Sequence, residues 1–268
     1  MKVLNLNVFR GFHTQFHSVY KWENRRDLII NLIEAENPDI ILFQECNKLQ
    51  NTEDMEKFME DLPNYDYVIK YSLPGVFRSR ALIIAYNPNK LIKNSEIVKW
   101  FSDTPDVPSI GWGNPDDDFG RIILGCEFLE KNSDKKFWIF NVHFDIDIES
   151  IRKSILLLPE LIDKQCLSDS KIILAGDFNT DDKLLFDTLK NNNFDRLSQT
   201  FNTTDKVKLN VSFVGKRDDF GKLTEDLYLD HVFGREVYNY NIYCPFEYDF
   251  IINKYIVSDH LPVVIIFE

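Results

Sequence analysis

Short runs of apolar residues recur along the chain, and most of them end in polar residues with reactive side chains. Four runs predict buried strands, at Val3–Val8, Ile40–Phe43, Phe137–Val142 and Ile172–Gly176. The polar residues in or just after them are Asn7, Gln44-Glu45, His143 and Asp177-Phe178-Asn179. Because polar chemistry recurs at strand ends, we expect a functional site where several strands finish.

Three segments between these runs carry apolar residues at helical spacing. The first follows Asn24, which we expect to cap a helix that ends near Asn37. The second runs from Met55 to Leu62, and the third runs from Ile151 to Ile162, where Pro159 predicts a kink or a restart. The apolar stripes of these helices predict core packing rather than contacts to a cofactor.

Two further apolar runs, Ala81–Tyr86 and Ile122–Phe128, predict antiparallel strands because turn residues follow each of them. A purely parallel, doubly wound sheet accommodates such elements poorly. The stretches Ser102–Gly120 and Leu197–Glu225 are rich in loop residues. Loops of that length in a compact domain usually belong to a functional rim.

Length and composition favour one folded unit. The chain has 268 residues, of which 44% are hydrophobic, and this predicts a single domain over residues 1–268 with a sizeable core. The 22 Phe and 11 Tyr suit a sheet-rich core. The net charge of -12 disfavours a protein that coats nucleic acid nonspecifically, since such binding depends on Lys and Arg, although it leaves room for a local basic groove.

Cysteine spacing and the N-terminal segment predict a cytoplasmic protein. The four cysteines are widely spaced and form no zinc pattern, so we expect reduced, buried thiols. The segment after Met1 is too short and too polar for a signal peptide, and no apolar run approaches the ~20 residues of a membrane span. We therefore expect no membrane anchor.

Two carboxylates stand out as candidates for metal and acid–base chemistry. Glu45 follows a buried strand, and Mg²⁺ typically takes one or two protein carboxylates together with water. Asp177 and Asn179 are two residues apart, so in an extended segment they point to the same side and can orient a water and a phosphoryl oxygen. Taken alone, Glu45 favours a surface ion pair, and the Asp-x-Asn pair suits an Asx turn equally well.

Two imidazoles complete the candidate set. His260 needs a partner that fixes its tautomer and direction, and Asp230 can supply that constraint. His143 follows the strand Phe137–Val142 and can donate a hydrogen bond to a phosphate oxygen or protonate a leaving group. The alternative readings are a capped strand start for His260 and a buried structural histidine for His143.

In chain order, these motifs resemble the endonuclease/exonuclease/phosphatase superfamily. The resembling segments are Leu6-Asn7-Val8, Phe43-Gln44-Glu45, Asn141-Val142-His143-Phe144, Gly176-Asp177-Phe178-Asn179, Leu229-Asp230-His231-Val232 and Ser258-Asp259-His260. Each is short, but six of them in the correct order are hard to produce by chance. The segment Trp100–Pro105 and the strand that follows Arg121 resemble more narrowly a bacterial branch whose members mostly lack an assigned substrate.

The resemblance implies a DNase-I-like fold, a four-layer α/β/β/α sandwich of two packed, largely antiparallel sheets. It also implies a metal-dependent phosphoric ester hydrolase in which Glu45, assisted by Asn7 and Asp259, holds Mg²⁺, with Mn²⁺ as a substitute. His143, Asp177, Asn179, Asp230 and His260 would then be catalytic, and either Asp177 or His260 would take the proton from water. Arg121, Arg78 or Arg80 would bind the substrate phosphate.

Several alternatives stay open at this level. The substrate is a phosphoester, either a small molecule or a nucleic acid, and the acidic composition leans toward the small molecule. A catalytically silent binding module on the same fold is the rival from another class. The chain has Tyr228-Leu229-Asp230-His231 where the superfamily usually has Arg-Ile-Asp-Tyr, so a basic residue is missing there. No obligate protein partner is evident.

Overall fold

The computed structural model describes residues 1–9, 22–47, 55–75, 79–112, 120–198, 228–245, 251–252 and 255–268. Arg78 lies outside the described residues. The same holds for residues 113–119 of the first loop-rich stretch and for residues 199–225 of the second.

Fourteen strands and four helices are present among the described residues. The strands are β1 Lys2–Asn7, β2 Ile40–Asn47, β3 Asp66–Tyr71, β4 Arg80–Tyr86, β5 Leu91–Trp100, β6 Ile122–Glu130, β7 Lys136–His143, β8 Ile172–Asp177, β9 Asp195–Arg196, β10 Asp230–Arg235, β11 Tyr240–Tyr243, β12 Ile251–Ile252, β13 Tyr255–Ile256 and β14 Val263–Phe267. The helices are α1 Trp22–Glu36, α2 Met55–Glu60, α3 Ile148–Asp163 and α4 Lys183–Asn191.

The strands form two six-stranded sheets and one small hairpin. The first sheet has the order β11-β14-β1-β2-β4-β3, the second has the order β5-β6-β7-β8-β10-β9, and β12 pairs with β13. The pairs β1–β2 and β7–β8 are parallel, whereas the other described pairs are antiparallel. The prediction of largely antiparallel sheets is therefore confirmed.

Three apolar clusters separate four layers of structure. Val3 and Leu42 of the first sheet share the central cluster with Ile173 of the second sheet, so this cluster lies between the sheets. Their strand neighbours point outward: Leu4 packs with residues of α1 and α2, and Leu174 packs with residues of α3 and α4. The central strands are thus buried on both faces, which explains their continuous apolar runs. The predicted four-layer sandwich is confirmed.

One detail of the predicted helices was wrong, and at Pro159, where a kink or a restart was predicted, the structure excludes the restart. Asn24 does not cap α1, because the helix already includes Trp22 and residue 23. Pro159 does not restart α3, which continues through it from Ile148 to Asp163. The helix α3 tolerates the proline because its stability comes largely from its buried apolar face rather than from one backbone hydrogen bond. In the described part of the chain, no helix combines the length and apolarity that crossing a bilayer requires.

A buried chain of amides connects the two sheets next to the strand ends. Gln44 on β2 donates from Nε2 to Asn5 Oδ1 at 2.8 Å and to Asn141 Oδ1 on β7 at 2.7 Å. Asn141 donates in turn from Nδ2 to the carbonyl oxygens of Phe43 and Ile83, each at 3.0 Å. These bonds fix β2 against β7 across the sandwich, and therefore fix Glu45 relative to His143.

Candidate active site

Strand register brings the predicted site residues to one edge of the sandwich. In the second sheet, Asp177 at the end of β8 is paired with His143 on β7 and with Asp230 on β10. In the first sheet, Asn7 at the end of β1 is paired with Gln44, directly before Glu45. The ends of parallel strands meet at the same edge of a sheet, so the two sheets present their polar residues side by side.

Asp177 is the centre of the hydrogen-bond network. Its side chain is buried, with Oδ2 accepting from Asn7 Nδ2 at 2.9 Å and Oδ1 accepting from the backbone N–H of Asn179 at 2.9 Å. Burial raises the pKa of Asp177 to about 6, and the Asp230 carboxylate adds to the shift, while His260 opposes it. This carboxylate is ionised at neutral pH but is more basic than an ordinary aspartate.

His260 forms a hydrogen-bonded pair with Asp230. Its Nδ1 donates to Asp230 Oδ2 at 2.7 Å, so its Nε2 faces Asn7 Nδ2 at 3.4 Å and Asp177 Oδ2 at 3.7 Å. Burial by itself would lower the pKa of His260, but the neighbouring carboxylates, first Asp230 and then Asp177, raise it well above its usual value. The predicted role of Asp230 in orienting His260 is compatible with this geometry, and the raised pKa favours the charged form of the ring.

The turn after β8 depends on backbone conformations that few residues adopt. Gly176 has φ 146°, and a Cβ at this position would lie 2.1 Å from the carbonyl oxygen of Val142 on β7. Asn179 has φ 51°, and its Nδ2 donates to the carbonyl oxygen of Phe144 at 2.9 Å. A glycine at 176 therefore allows β7 and β8 to approach closely. This approach places Asn179 beside Asp177.

His143 lies between the carboxylates of the two sheets. Its Nε2 is 3.5 Å from Asp177 Oδ2 and 3.9 Å from Glu45 Oε1. Burial, followed by the positive charges of Arg121 and Arg80, lowers the pKa of His143 well below its usual value. A neutral imidazole can donate one hydrogen bond to a phosphate oxygen, but it is a poor acid for a leaving group at neutral pH.

Glu45 occupies an irregular position in β2. Its φ is 60°, and the pairing of β2 with β4 shifts register between Phe43 and Cys46. The bulge turns the Glu45 side chain toward the site edge, where Arg80 Nη1 lies 3.8 Å from its Oε1. Asp259 is the second acidic group here. Burial, with the Glu45 charge adding to it, raises the pKa of Asp259 to about 7 against the opposing effect of His260.

The donor set of Glu45, Asp259 and Asn7 fits a hard divalent cation. All three offer oxygen ligands, and the mutual repulsion of Glu45 and Asp259 is the environment that a bound cation would relieve. A second group, Asp177, Asp230 and His260, has potential ligand atoms within 4.8 Å of one another. This group is a second candidate position for a cation, in which His260 already bonds to Asp230 through Nδ1.

Arg25 is a site-supporting residue that sequence reasoning missed. It is fully buried, and its guanidinium donates to the carbonyl oxygens of Val8 at 2.9 Å, Val257 at 3.1 Å and Phe9 at 3.2 Å. It therefore ties the end of β1 to the segment that carries Ser258, Asp259 and His260. The signal in the sequence was its place four residues before Ile29, on the apolar face of α1.

Ser258 and Arg121 are two further buried polar residues of the site. Ser258 donates from Oγ to the carbonyl oxygen of Asn7 at 2.6 Å and accepts from the backbone N–H of His260 at 3.2 Å. Arg121 is 4% exposed, and its Nε lies 3.9 Å from Asp145 Oδ2. The structure thus connects Asn7, Asp177, Asn179, Asp230 and His260 by hydrogen bonds, whereas Glu45, Asp259, His143 and Arg121 adjoin them by proximity and charge.

Comparisons with known proteins found related sequences. The chain is 99% identical over 268 residues to the uncharacterized protein L388 of Acanthamoeba polyphaga mimivirus, covering 100% of both chains. It is 32% identical over 146 residues to the 3'-5'-exoribonuclease subunit Ccr4 of the CCR4-Not complex of Phaeosphaeria nodorum, which covers 47% of this chain and 23% of that protein.

Similarity also extends to solved structures. The mannosyl-6-phosphatase Bt3783 of Bacteroides thetaiotaomicron superposes with a TM-score of 0.76 at 22% identity, covering 100% of this chain and 99% of that one. At this identity the likeness shows the fold. A model of the endonuclease/exonuclease/phosphatase family matches residues 4–260, which include every site residue described above. The chain therefore belongs to the endonuclease/exonuclease/phosphatase family and is an enzyme of that family's kind, a hydrolase that acts on phosphoesters.

Proposed function

We propose that this protein hydrolyses a phosphomonoester or a phosphodiester by metal-assisted attack of water. The observation that carries the proposal is the meeting of three distant side chains. Asn7 Nδ2 donates to Asp177 Oδ2 at 2.9 Å and lies 3.4 Å from His260 Nε2. Each of these side chains comes from a different element, so their meeting requires the whole sandwich to be folded.

In this proposal Glu45, Asn7 and Asp259 hold Mg²⁺, with Mn²⁺ as a substitute, because they form an oxygen-rich donor set at the strand ends. When bound there, the ion would withdraw charge from phosphorus and neutralise negative charge on the phosphate oxygens. Arg25 supports this set, since it holds the backbone just after Asn7, at Val8 and Phe9, and just before Ser258 and Asp259, at Val257.

Four side chains activate the water and stabilise the charge on the phosphoryl group in this proposal. Asp177 orients the attacking water and takes its proton, because a carboxylate with a pKa of about 6 is ionised at neutral pH yet basic enough to serve. His260, held cationic by Asp230, stabilises the negative charge of the phosphoryl group. Asn179 donates its remaining amide hydrogen to the same group, and neutral His143 donates to a phosphate oxygen.

The test is a hydrolysis screen with Mg²⁺ and Mn²⁺ against a phosphomonoester dye, a phosphodiester dye, abasic duplex, single-stranded DNA and RNA, inositol polyphosphates and sphingomyelin. EDTA should abolish activity, and added metal should restore it. Glu45→Ala, Asp177→Ala and His260→Ala should each reduce kcat/KM by about 10³-fold or more without changing the circular dichroism spectrum. Full activity in any of these variants would refute the assignment.

A nuclease is the second candidate, and the similarity to a 3'-5'-exoribonuclease subunit favours it. The net charge of -12 opposes it, because a long polyanion requires a basic groove. The silent binding module is the remaining rival. The intact network around Asp177 argues against it, and calorimetry decides it: saturable Mg²⁺ or Mn²⁺ binding that Glu45→Ala removes supports an enzyme.

We also propose a cytoplasmic location, a single domain over residues 1–268 and action without an obligate protein partner. The location is supported by the state of the cysteines, which are all free and buried. Thiols in that state suit a reducing compartment. Fractionation of expressing cells would test the location, and size-exclusion chromatography of the active enzyme would test the independence from a partner.

A further inference from the structure

A small pocket lies against His143, beside the candidate active site. Its walls come from the start of β4, from the segment that enters β6 and from the ring of His143, and its polar side chains include Ser72, Arg80 and Arg121. The space within it that a water-sized group can occupy is about 10 Å³. A volume of roughly 10–15 Å³ holds about one water, so the pocket suits the oxygen end of a ligand rather than a continuing chain.

Arg121 is buried in the wall of this pocket with unused hydrogen-bond donors. The side chain is 4% exposed, and its Nε and Nη1 have no hydrogen-bond partner among the residues that the structure describes. The nearest carboxylate oxygen, on Asp145, lies 3.9 Å from Nε and is too far for a hydrogen bond. Because a buried cation with unmade hydrogen bonds is costly, the arrangement points to an acceptor that enters from outside.

Arg80 adds a second positive charge to the same pocket. Burial, and then the charge of Arg80, lowers the pKa of Arg121 to about 10, while Asp145 and Glu45 oppose the shift. Arg80 Nη1 also lies 3.8 Å from Glu45 Oε1, so the pocket adjoins the proposed metal ligands. Two guanidinium groups that repel each other at low dielectric are stabilised together by an anion rich in acceptor oxygens.

We propose that the pocket of Arg80 and Arg121 receives the terminal oxygens of the substrate's phosphate and that the enzyme therefore prefers phosphomonoesters to phosphodiesters. A phosphomonoester carries nearly two negative charges at neutral pH and three free oxygens, which suits two guanidinium groups. A diester carries one negative charge, two free oxygens and a second organic substituent that a small pocket does not accept. This inference rests on the proposed function and names its substrate class.

The experiment compares para-nitrophenyl phosphate with bis(para-nitrophenyl) phosphate, both with Mg²⁺, in four proteins: the wild type, Arg121→Gln, Arg121→Lys and the control Arg152→Gln. Arg152 is half exposed and pairs only with Glu149 in the described structure. Arg121→Gln should lower kcat/KM for the monoester roughly 10- to 100-fold, the value of one or two charge-assisted hydrogen bonds, and change the diester value less than about threefold. Arg152→Gln should leave both unchanged.

Arg121→Lys keeps the positive charge but loses the paired donors of the planar guanidinium. Its monoester activity should therefore lie between those of Arg121→Gln and the wild type. If Arg121→Gln does not fold, Arg121→Lys provides the same comparison of monoester and diester activity. Inhibition by inorganic phosphate should weaken in parallel with the monoester activity.

The outcomes separate the two proposals. Equal losses on both esters, or no loss on either, would overturn the pocket assignment. A wild type that hydrolyses only the diester would overturn this inference and leave the proposed function standing. A wild type that hydrolyses neither ester nor any other substrate of the screen would overturn both.

Discussion

At the residue scale, the strongest feature is the charge coupling between Asp230 and His260. The 2.7 Å hydrogen bond joins a carboxylate and an imidazole that are both buried. The carboxylate stabilises the charged form of the ring, because a buried cation without a partner is costly. The pair therefore works as one unit, and the charge it presents at Nε2 of His260 depends on Asp230.

Asp230→Asn tests this coupling. An amide of the same shape cannot balance the imidazolium, so the pKa of His260 should fall and kcat should drop by roughly 10²- to 10⁴-fold, while the stability changes less. The steady-state rate at neutral pH and the titration of the His260 ring by NMR would measure the two effects. Asp169→Asn, at an exposed position, is the matched control. An unchanged kcat would contradict the role given to Asp230.

Sequence reasoning found most of the site at this scale because its residues follow strong apolar runs. Asn7, Glu45, His143 and Asp177 were all identified by where their strands end. It missed Arg25, whose role depends on three carbonyl oxygens from segments far apart in the chain. It also left the base undecided, because the pKa values of Asp177 and His260 depend on burial and on mutual charge that only folding creates.

At the element scale, β10 connects the site to an aromatic cluster through His231. The ring lies against Phe178, Phe186 and Tyr228, and its Nε2 donates to the carbonyl oxygen of Thr180 at 2.8 Å. That bond fixes the segment after Asn179. Burial lowers the pKa of His231 to about 3, so this ring stays neutral in the folded protein.

The stability should therefore depend on pH through His231. Between its unfolded pKa of about 6.5 and its folded value of about 3, the unfolded chain binds a proton that the folded chain does not. The free energy of unfolding should fall by up to about 1.4 kcal/mol per pH unit from this residue as the pH drops below 6.5. Urea denaturation at pH 7.5, 6 and 5 should show a shallower decline in His231→Phe than in the wild type. An identical pH slope in the two proteins would exclude the effect.

Strands that are buried on both faces were predicted correctly, whereas elements that depend on packing against a neighbouring strand or sheet were not. The strands β1, β2, β7 and β8 were read from continuous apolar runs, since both of their faces are buried. The strand β5 was not identified, because most of its residues are polar or partly exposed and only its pairing with β6 makes it a strand. The continuity of α3 through Pro159 likewise comes from packing against the sheet, which overrides local propensity.

At the scale of the whole molecule, the amides between the sheets hold the two halves of the site in place. Asn141 accepts from Gln44 and donates to two backbone carbonyls, all in the buried interior. Neither sheet contains the complete site, since Asn7 and Glu45 come from the first and Asp177 from the second. The sequence could not predict this link, because it joins residues about 100 positions apart.

Asn141→Leu should lower the free energy of unfolding by about 2–4 kcal/mol, because it leaves buried polar groups without one of their partners. Urea denaturation would measure the loss. In the double variant with Gln44→Leu the losses should be less than additive, since both substitutions remove the same bond. Additive losses would show that the two amides act independently.

The overall charge leads to a prediction about ionic strength. With a net charge of -12, the protein has no general attraction for polyanions, so binding of a small phosphoester should involve few released ions. Between 50 and 200 mM salt, kcat/KM for the phosphomonoester dye should change by less than about threefold. Binding of a nucleic acid through several phosphates would weaken by about 10³-fold over that range. Such a steep loss, measured on RNA or DNA with turnover, would favour the nuclease.

Three residues at the strand ends, Phe9, Glu45 and Asn179, have positive φ values of 50°, 60° and 51° without being glycine. Each such conformation costs on the order of 1 kcal/mol for a residue with a Cβ. Glycine at position 45 would relieve that backbone cost and at the same time remove a carboxylate that the proposed metal site needs, so a gain in stability there would come with a loss of turnover.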